Sequence, residues 1–141
     1  MEFYALKIKQ VTPETADKVT IELEIPADLQ EKFAYKQGQH ITVRIHQNDH
    51  ELRRSYSMSS SPLEQNRLAI TVKKVRGGRV SAFLHDTLKA GDTLDIAAPE
   101  GRFFTPLDPE KRRTYYFFGA GSGITPLMSI IKTTLESEPM S

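Results

Sequence analysis

The sequence lacks cysteine altogether among its 141 residues. This absence excludes disulfide bonds, thiolate-held iron–sulfur clusters and cysteine nucleophiles within the chain. It also lacks any uninterrupted apolar stretch of the roughly 18 residues that a membrane helix requires, and an N-terminal pattern typical of a signal peptide. The formal net charge is only +1, which gives no electrostatic argument for a nucleic-acid or membrane partner. We therefore expect a soluble cytoplasmic domain that binds neither.

Alternation of apolar and polar residues dominates the first two-thirds of the chain and predicts β-strands. The alternating runs are Ile21–Ile25, Ile41–Ile45, Leu68–Val72 and Leu94–Ile96. Glycine, proline and Asn-Asp turns separate these runs, and many short one-faced strands are typical of an antiparallel barrel or sandwich. One segment differs, because its apolar residues are spaced for one face of a short helix. They are Val80, Phe83, Leu84 and Leu88.

The pattern changes again after the charged linker Asp108–Arg113. The apolar run Thr114–Phe118 predicts a strand buried on both faces, and a glycine-rich turn follows it. Helical spacing then continues to the end of the chain, with apolar residues at Leu127, Ile130, Ile131 and Leu135. Strand, turn and helix form the first half of a βαβ unit. We therefore predict a β-barrel domain at 1–108 and the opening fragment of a parallel α/β domain at 109–141.

The first candidate binding motif is Arg54-Ser55-Tyr56-Ser57, near the end of a predicted strand. Alternation places Arg54 and Tyr56 on the same face, where a dinucleotide could lie across both. The arginine fork matches phosphate oxygens, and the tyrosine offers a flat apolar surface. The alternative for these residues taken alone is an ordinary strand with an exposed arginine and a half-buried tyrosine.

The second motif, Gly77–Ser81, opens the predicted short helix. Free amides at a helix N-terminus, beside glycines that allow close approach, favour an anion. Ser81 could cap the helix or donate its hydroxyl to a phosphate. A glycine hairpin with an ordinary cap is the favoured interpretation of this motif when it is taken alone. Both motifs suit the same ligand, and this raises the odds on each.

The third motif is Gly119–Pro126, between the predicted buried strand and the last helix. Its place suits a phosphate-binding turn at a helix N-terminus. It differs from the dinucleotide fingerprint G-x-G-x-x-G, since Ile124 stands where the third glycine would be. No Lys-Ser/Thr pair follows, so it is not a P-loop either. Its pattern is G-x-G-x-G-x-x-P.

These motifs, with P-x-G-x-F at Pro99–Phe103, occur in an order that resembles the ferredoxin–NADP reductase superfamily. The resemblance covers the chain from about Gly38 to Leu135. Within the superfamily the chain looks like the reductase subunits of multicomponent oxygenases, particularly the phenylacetyl-CoA epoxidase type, which implies a role in phenylacetate degradation. The resemblance implies a mainly β fold, a six-stranded antiparallel Greek-key barrel with one short helix. A truncated nicotinamide-binding domain would follow it.

The resemblance also implies roles for individual residues. Arg54 would hold the FAD pyrophosphate, Tyr56 would stack on the flavin ring and Ser57 would hydrogen-bond near its N5. The other implied cofactor contacts are Ser55, the backbone and stems of Val72, Lys73 and Lys74, and a pyrophosphate cradle of Gly78, Arg79, Val80 and Ser81. The turn residues Gly119, Gly121, Gly123 and Thr125 would approach the nicotinamide dinucleotide, with Thr125 nearest the reacting rings.

The implied function is transfer of electrons from NAD(P)H through FAD to an iron–sulfur or oxygenase partner. One alternative is a non-catalytic flavin-binding electron-transfer subunit, and a more distant one is a β-barrel interaction module without a cofactor. We expect no metal site, because the spacing of His46 and His50 in a strand-to-turn region does not align two ligands. A [2Fe–2S] module could belong only to a region beyond this chain, since the chain has no cysteine.

Overall fold

The computed structural model describes residues 1–141 and is built around six antiparallel strands. The strands are β1 (Phe3–Thr15), β2 (Lys18–Leu23), β3 (His40–Gln47), β4 (His50–Ser57), β5 (Leu68–Lys73) and β6 (Thr93–Glu100). The helices are α1 (Arg79–Asp86) and α2 (Ile124–Ser137), with two 3-10 turns at Ala27–Leu29 and Gly121–Gly123. No helix is long and apolar enough to cross a bilayer.

The strands form one sheet in the order β4-β3-β6-β1-β2-β5, which curls until its two edges meet. A long connection joins the hairpin β1-β2 to the hairpin β3-β4. After α1, strand β6 returns to lie between β3 and β1 and pairs with both. The edges meet at a single bridge between Met58, just beyond β4, and Ile70 of β5. The predicted six-stranded antiparallel barrel is thereby confirmed, and it retains a seam between β4 and β5.

The barrel interior is a cluster of 18 buried apolar residues. The alternating strand residues supply most of it, as the pattern of period two requires. Ile21, Ile41 and Ile70 are fully buried. The predicted short helix is confirmed as α1, which contributes Val80 and Leu84 to the same cluster.

The predicted strand Thr114–Phe118 does not form, and this expectation was wrong. The segment has no regular secondary structure, and Tyr116 and Phe118 are 79% and 90% exposed. Tyr115 and Phe117 are half-buried and line a small hollow with Ile131 of α2. A strand requires a hydrogen-bonded neighbour, and no other segment of this chain offers one beside residues 114–118. Only the side of the run that faces α2 is therefore covered.

The helix α2 packs on the barrel through polar residues. The Ser129 hydroxyl donates a hydrogen bond of 2.6 Å to the Ser60 carbonyl, and Thr133 shares one of 2.9 Å with Ser61. All four residues are buried. Of the predicted apolar face of α2, Leu127 is buried but Leu135 is 68% exposed. The contact with the barrel therefore uses a face that the hydrophobic pattern did not predict.

A buried carboxylate ties the C-terminal residues to the linker. Glu138 is fully buried and forms an ion pair with Arg113. It also accepts hydrogen bonds from the Asp108 amide at 2.9 Å and the Tyr115 hydroxyl at 2.8 Å. These partners, of which Arg113 has the largest effect, lower the pKa of Glu138 from 4.5 to about 2, although burial opposes the shift. We refer to Asp108, Arg113, Tyr115 and Glu138 as the linker clasp.

We expect Glu138→Gln to loosen the linker clasp at neutral pH, because the neutral glutamine cannot form an ion pair with the Arg113 guanidinium. Since folding depresses the Glu138 pKa, its stabilisation is complete above about pH 4.5 and is lost as the pH falls towards 2. The protection factor of the Asp108 amide, which compares its exchange rate with that of an unstructured peptide at the same pH, should therefore fall in the native chain over that range. In the Glu138→Gln variant this protection factor should be low already at pH 7.

The matched control for this prediction is Glu136→Gln, which neutralises an exposed carboxylate on the same helix. Its exchange at Asp108 should follow the native chain. Equal protection of Asp108 in all three proteins at pH 7 would contradict the proposed importance of the clasp.

Candidate functional site

The Arg54–Ser57 motif lies at the end of β4, on one side of the barrel seam. Tyr56 pairs with Ile41 of β3, and Arg54 pairs with Val43. Both side chains therefore project from the inward face of the sheet. Tyr56 packs against the core and is half-buried, whereas Arg54 is exposed and donates a hydrogen bond of 2.7 Å to the Arg53 carbonyl. Because β4 is an edge strand, this inward face opens into the seam near its end.

Burial raises the pKa of Tyr56, and the Arg54 charge only partly opposes this. The phenol therefore stays protonated at neutral pH. The half-buried Tyr56 ring presents a neutral, flat surface on the same strand face as the exposed Arg54 guanidinium, which forms no ion pair. A ligand with an aromatic ring and a phosphate group would be complementary to the two side chains together.

The second motif places the start of α1 beside the same seam. Gly78 is the N-cap, and no side chain caps the helix. The first hydrogen bond into the helix runs from Ala82 to Gly78, which leaves the amides of Arg79, Val80 and Ser81 without intrahelical partners. Ser81 does not cap the helix. Its Oγ instead accepts a bond of 3.1 Å from the Val75 amide, which leaves the hydroxyl hydrogen available to a ligand.

The close packing around position 78 leaves no room for a side chain and requires glycine there. A Cβ at this position would lie 2.5 Å from Ser81 Oγ and 3.1 Å from the Val75 carbonyl oxygen. The glycine therefore allows the loop before α1 to fold tightly against Ser81. The Ser81 hydroxyl lines the cleft, and the open amides lie in the same first turn of α1, which is an arrangement that favours an anion.

The glycine-rich turn closes the other side of a cleft of about 470 Å³. Seven of the predicted site residues line this cleft: Ser55, Tyr56, Ser57, Lys73, Ser81, Gly121 and Thr125. The turn includes a 3-10 segment, in which Gly121 has φ +59°, and it leads directly into α2. The structure thus brings together parts of all three motifs, which are separated by some 20 to 65 residues in sequence.

The other eight predicted residues do not line the cleft. The side chains of Val72 and Val80 belong to the barrel core, so only their backbones could serve a ligand. Lys74 pairs with Asp86 at 2.6 Å. The remaining predicted positions are also not part of the lining: Arg54, Gly78, Arg79, Gly119 and Gly123. Their proposed contacts would require a ligand that extends beyond the cleft.

Three cleft residues were missed by the sequence motifs: Lys18, Thr71 and Val75. Ser122 and Ile124 also line the cleft and belong to the predicted motif Gly119–Pro126, although they were not among its individually assigned contacts. Thr71 belongs to the predicted strand Leu68–Val72, where its place as a polar residue between apolar ones was the available signal. Lys18 reaches the cleft because β2 pairs with β5, which places it directly opposite Lys73. No local pattern could have shown this.

The residues present fit a flavin dinucleotide. The half-buried Tyr56 supplies a surface for a ring, and the uncapped amides of α1 supply donors for a diphosphate. No metal-binding cluster competes for this assignment, since no three His, Cys, Asp or Glu side chains converge anywhere in the chain. His46 instead lies 3.8 Å from the Glu51 carboxylate.

Comparison with known proteins agrees with this fit. The oxidoreductase FAD-binding domain family matches residues 5–105. The chain is 39% identical to one component of the 1,2-phenylacetyl-CoA epoxidase of Escherichia coli, over 99% of this chain and 39% of that protein. It is 40% identical to the ferredoxin reductase component of 3-ketosteroid-9-alpha-monooxygenase from Rhodococcus rhodochrous, over 92% of this chain and 36% of that protein.

A solved structure shares the fold. The Amycolatopsis cytochrome P450 reductase GcoB superposes with a TM-score of 0.79 at 27% identity, over 97% of this chain and 40% of that one. The chain thus spans about two fifths of the length of these proteins. The family match covers the whole barrel beyond its first residues and includes the first two motifs. The chain therefore belongs to the family of oxidoreductase FAD-binding domains of the ferredoxin reductase type.

Proposed function

We propose that this chain serves a reductase that takes electrons from NAD(P)H through FAD and delivers them to an iron–sulfur or oxygenase protein. The observation that carries the proposal is the cleft in which the Tyr56 motif, the start of α1 and the glycine-rich turn meet. The relatives of this chain include the ferredoxin reductase component of a monooxygenase, which supports an oxygenase as the electron acceptor. An epoxidase of phenylacetyl-CoA, and hence phenylacetate degradation, is the acceptor system that the 39% identical relative suggests.

FAD, when bound, supplies the redox chemistry, because it accepts a hydride and releases electrons singly. The chain's own residues bind and orient it. Arg54 would neutralise phosphate charge, Tyr56 would support one face of the ring and the Ser57 hydroxyl would lie near the reacting edge. Hydride transfer needs no general acid or base from the protein, so no side chain is assigned that role.

The glycine-rich turn would admit the nicotinamide dinucleotide to the opposite side of the cleft. Gly121 and Thr125 line the cleft together with Tyr56, which supports this arrangement. Gly119 lies close against α2, where a Cβ would come 2.6 Å from Leu127 Cδ1. We further propose that residues 1–108 are the flavin domain, that 109–141 begin a nicotinamide domain and that the protein acts in the cytoplasm.

The direct test is to incubate the purified chain with excess FAD, desalt it and record its visible spectrum, then to add NADH or NADPH without oxygen. Retained flavin bands are the expected result. Because residues 109–141 would supply only the start of a nicotinamide domain, slow bleaching or none is expected on addition of either nucleotide to this chain alone. Rapid bleaching would count against a flavin-binding electron-transfer subunit. A colourless chain that binds oligonucleotides in a salt-dependent manner would contradict the proposal and favour an interaction module.

A further inference from the structure

Two lysines face each other across paired strands at the cleft. Lys18 of β2 and Lys73 of β5 occupy directly opposite positions in the antiparallel register, and both line the cleft. Like charges in such positions destabilise a sheet. The repulsion falls when an anion lies between the two ammonium groups. The pair is therefore an arrangement that a negatively charged ligand would stabilise.

The neighbouring carboxylates compensate this charge only in part. Lys18 Nζ donates to Asp17 Oδ1 at 2.9 Å, whereas Lys73 forms no ion pair in the structure. The adjacent Lys74 is already paired with Asp86. One uncompensated positive charge thus remains at the cleft, where Lys18 of β2 is the member of the pair that the sequence analysis did not indicate.

Neutral donors surround the same space. The Ser81 hydroxyl has its oxygen occupied by the Val75 amide and can donate its hydrogen. Ser122 and Thr125 of the glycine-rich turn line the opposite wall. Hydroxyl donors with two ammonium groups match the oxygens of a phosphate ester better than a single carboxylate.

We propose that Lys18 and Lys73 form an anion subsite for the diphosphate of a dinucleotide. The proposal rests on the proposed function, because it assigns the ligand of the same cleft, and it adds a binding residue from β2. The diphosphate can come from FAD itself or from the nicotinamide dinucleotide. The chemistry is common to both sources, and the two are separated by experiment.

The test compares the native chain with Lys18→Gln and Lys89→Gln. Lys89 is a matched control, since it pairs with Asp92 at 3.0 Å as Lys18 pairs with Asp17, but it lies away from the cleft. Binding of FAD and of riboflavin, which has no phosphate, is measured by flavin fluorescence. Binding of ADP, a free diphosphate probe, is measured calorimetrically on the chain with and without FAD.

If FAD supplies the diphosphate, Lys18→Gln should weaken FAD binding about 3- to 10-fold and leave riboflavin binding unchanged. If the nicotinamide dinucleotide supplies the diphosphate, Lys18→Gln should leave the affinity for FAD unchanged. The binding of ADP to the FAD-loaded chain should then weaken by a similar factor. The subsite is refuted if Lys18→Gln matches Lys89→Gln in every titration. A native chain that binds no FAD would contradict the proposed function alone, and ADP binding to the flavin-free variants would then decide the subsite.

Discussion

Replacement of Arg54 by glutamine is expected to raise the dissociation constant for FAD about 10- to 100-fold. Arg54 is the exposed cation that shares a strand face with Tyr56 at the seam. A hydrogen bond to a charged group contributes about 1.5–3 kcal/mol, which corresponds to that range of affinity. Glutamine retains one donor nitrogen, with two N–H groups, but neither the charge nor the fork geometry that matches a diphosphate. Titration of the chain with FAD, followed by flavin fluorescence, measures the effect.

Arg53→Gln provides the control, because it removes the same charge from the next residue. Arg53 projects to the other side of β4, where it pairs with Glu51 at 2.5 Å and its guanidinium lies 4.9 Å from the centre of the Phe3 ring. Its effect on FAD affinity should stay within about twofold, as expected of an exposed charge away from the ligand. Equal losses in the two variants would point to general electrostatics and count against a specific contact at Arg54.

Leu84→Ala should destabilise the barrel by about 2–5 kcal/mol. Leu84 is fully buried in the apolar cluster and anchors α1 against the strands that flank the seam. Truncation leaves a cavity that the surrounding side chains can fill only in part. Urea denaturation followed by circular dichroism gives the change in unfolding free energy. FAD should also bind more weakly, since α1 carries the open amides of the second motif.

The control for this effect is Leu63→Ala, the same substitution at a residue that is 47% exposed. It should cost less than about 1 kcal/mol, because little buried surface is lost. The prediction fails if both variants unfold at the same urea concentration as the native chain.

Local patterns were sufficient for the barrel and its helix. The alternation at Ile41–Ile45 and Leu68–Val72 places one face inwards, and both runs are strands with buried apolar residues. The helical spacing of Val80 and Leu84 likewise predicted α1, in which both residues are buried. Such patterns predict strands and helices because the spacing of apolar residues shows which face of a segment will be buried, regardless of which segment packs against it.

The same reasoning failed at Thr114–Phe118. A continuous apolar run was interpreted as a doubly buried strand, but Tyr116 and Phe118 are exposed. An apolar composition favours burial, yet a strand also needs a partner on at least one edge, and the chain supplies none at this point. The contact of α2 with the barrel was missed for a related reason. Ser129 and Thr133 carry no hydrophobic signal, and their burial depends on hydrogen bonds to the Ser60 and Ser61 region.

The sequence by itself determined most of the barrel strands and both helices, and the motif order that indicated a flavin-binding oxidoreductase domain. Only the tertiary structure decided which motif residues share a cleft and which additional residues join them. Lys18 is the clearest case, because its position opposite Lys73 depends on the pairing of β2 with β5, some 50 residues away. Periodicity reports which side of a segment is buried. The neighbours of that side depend on strand order and register, which arise from contacts distant in sequence.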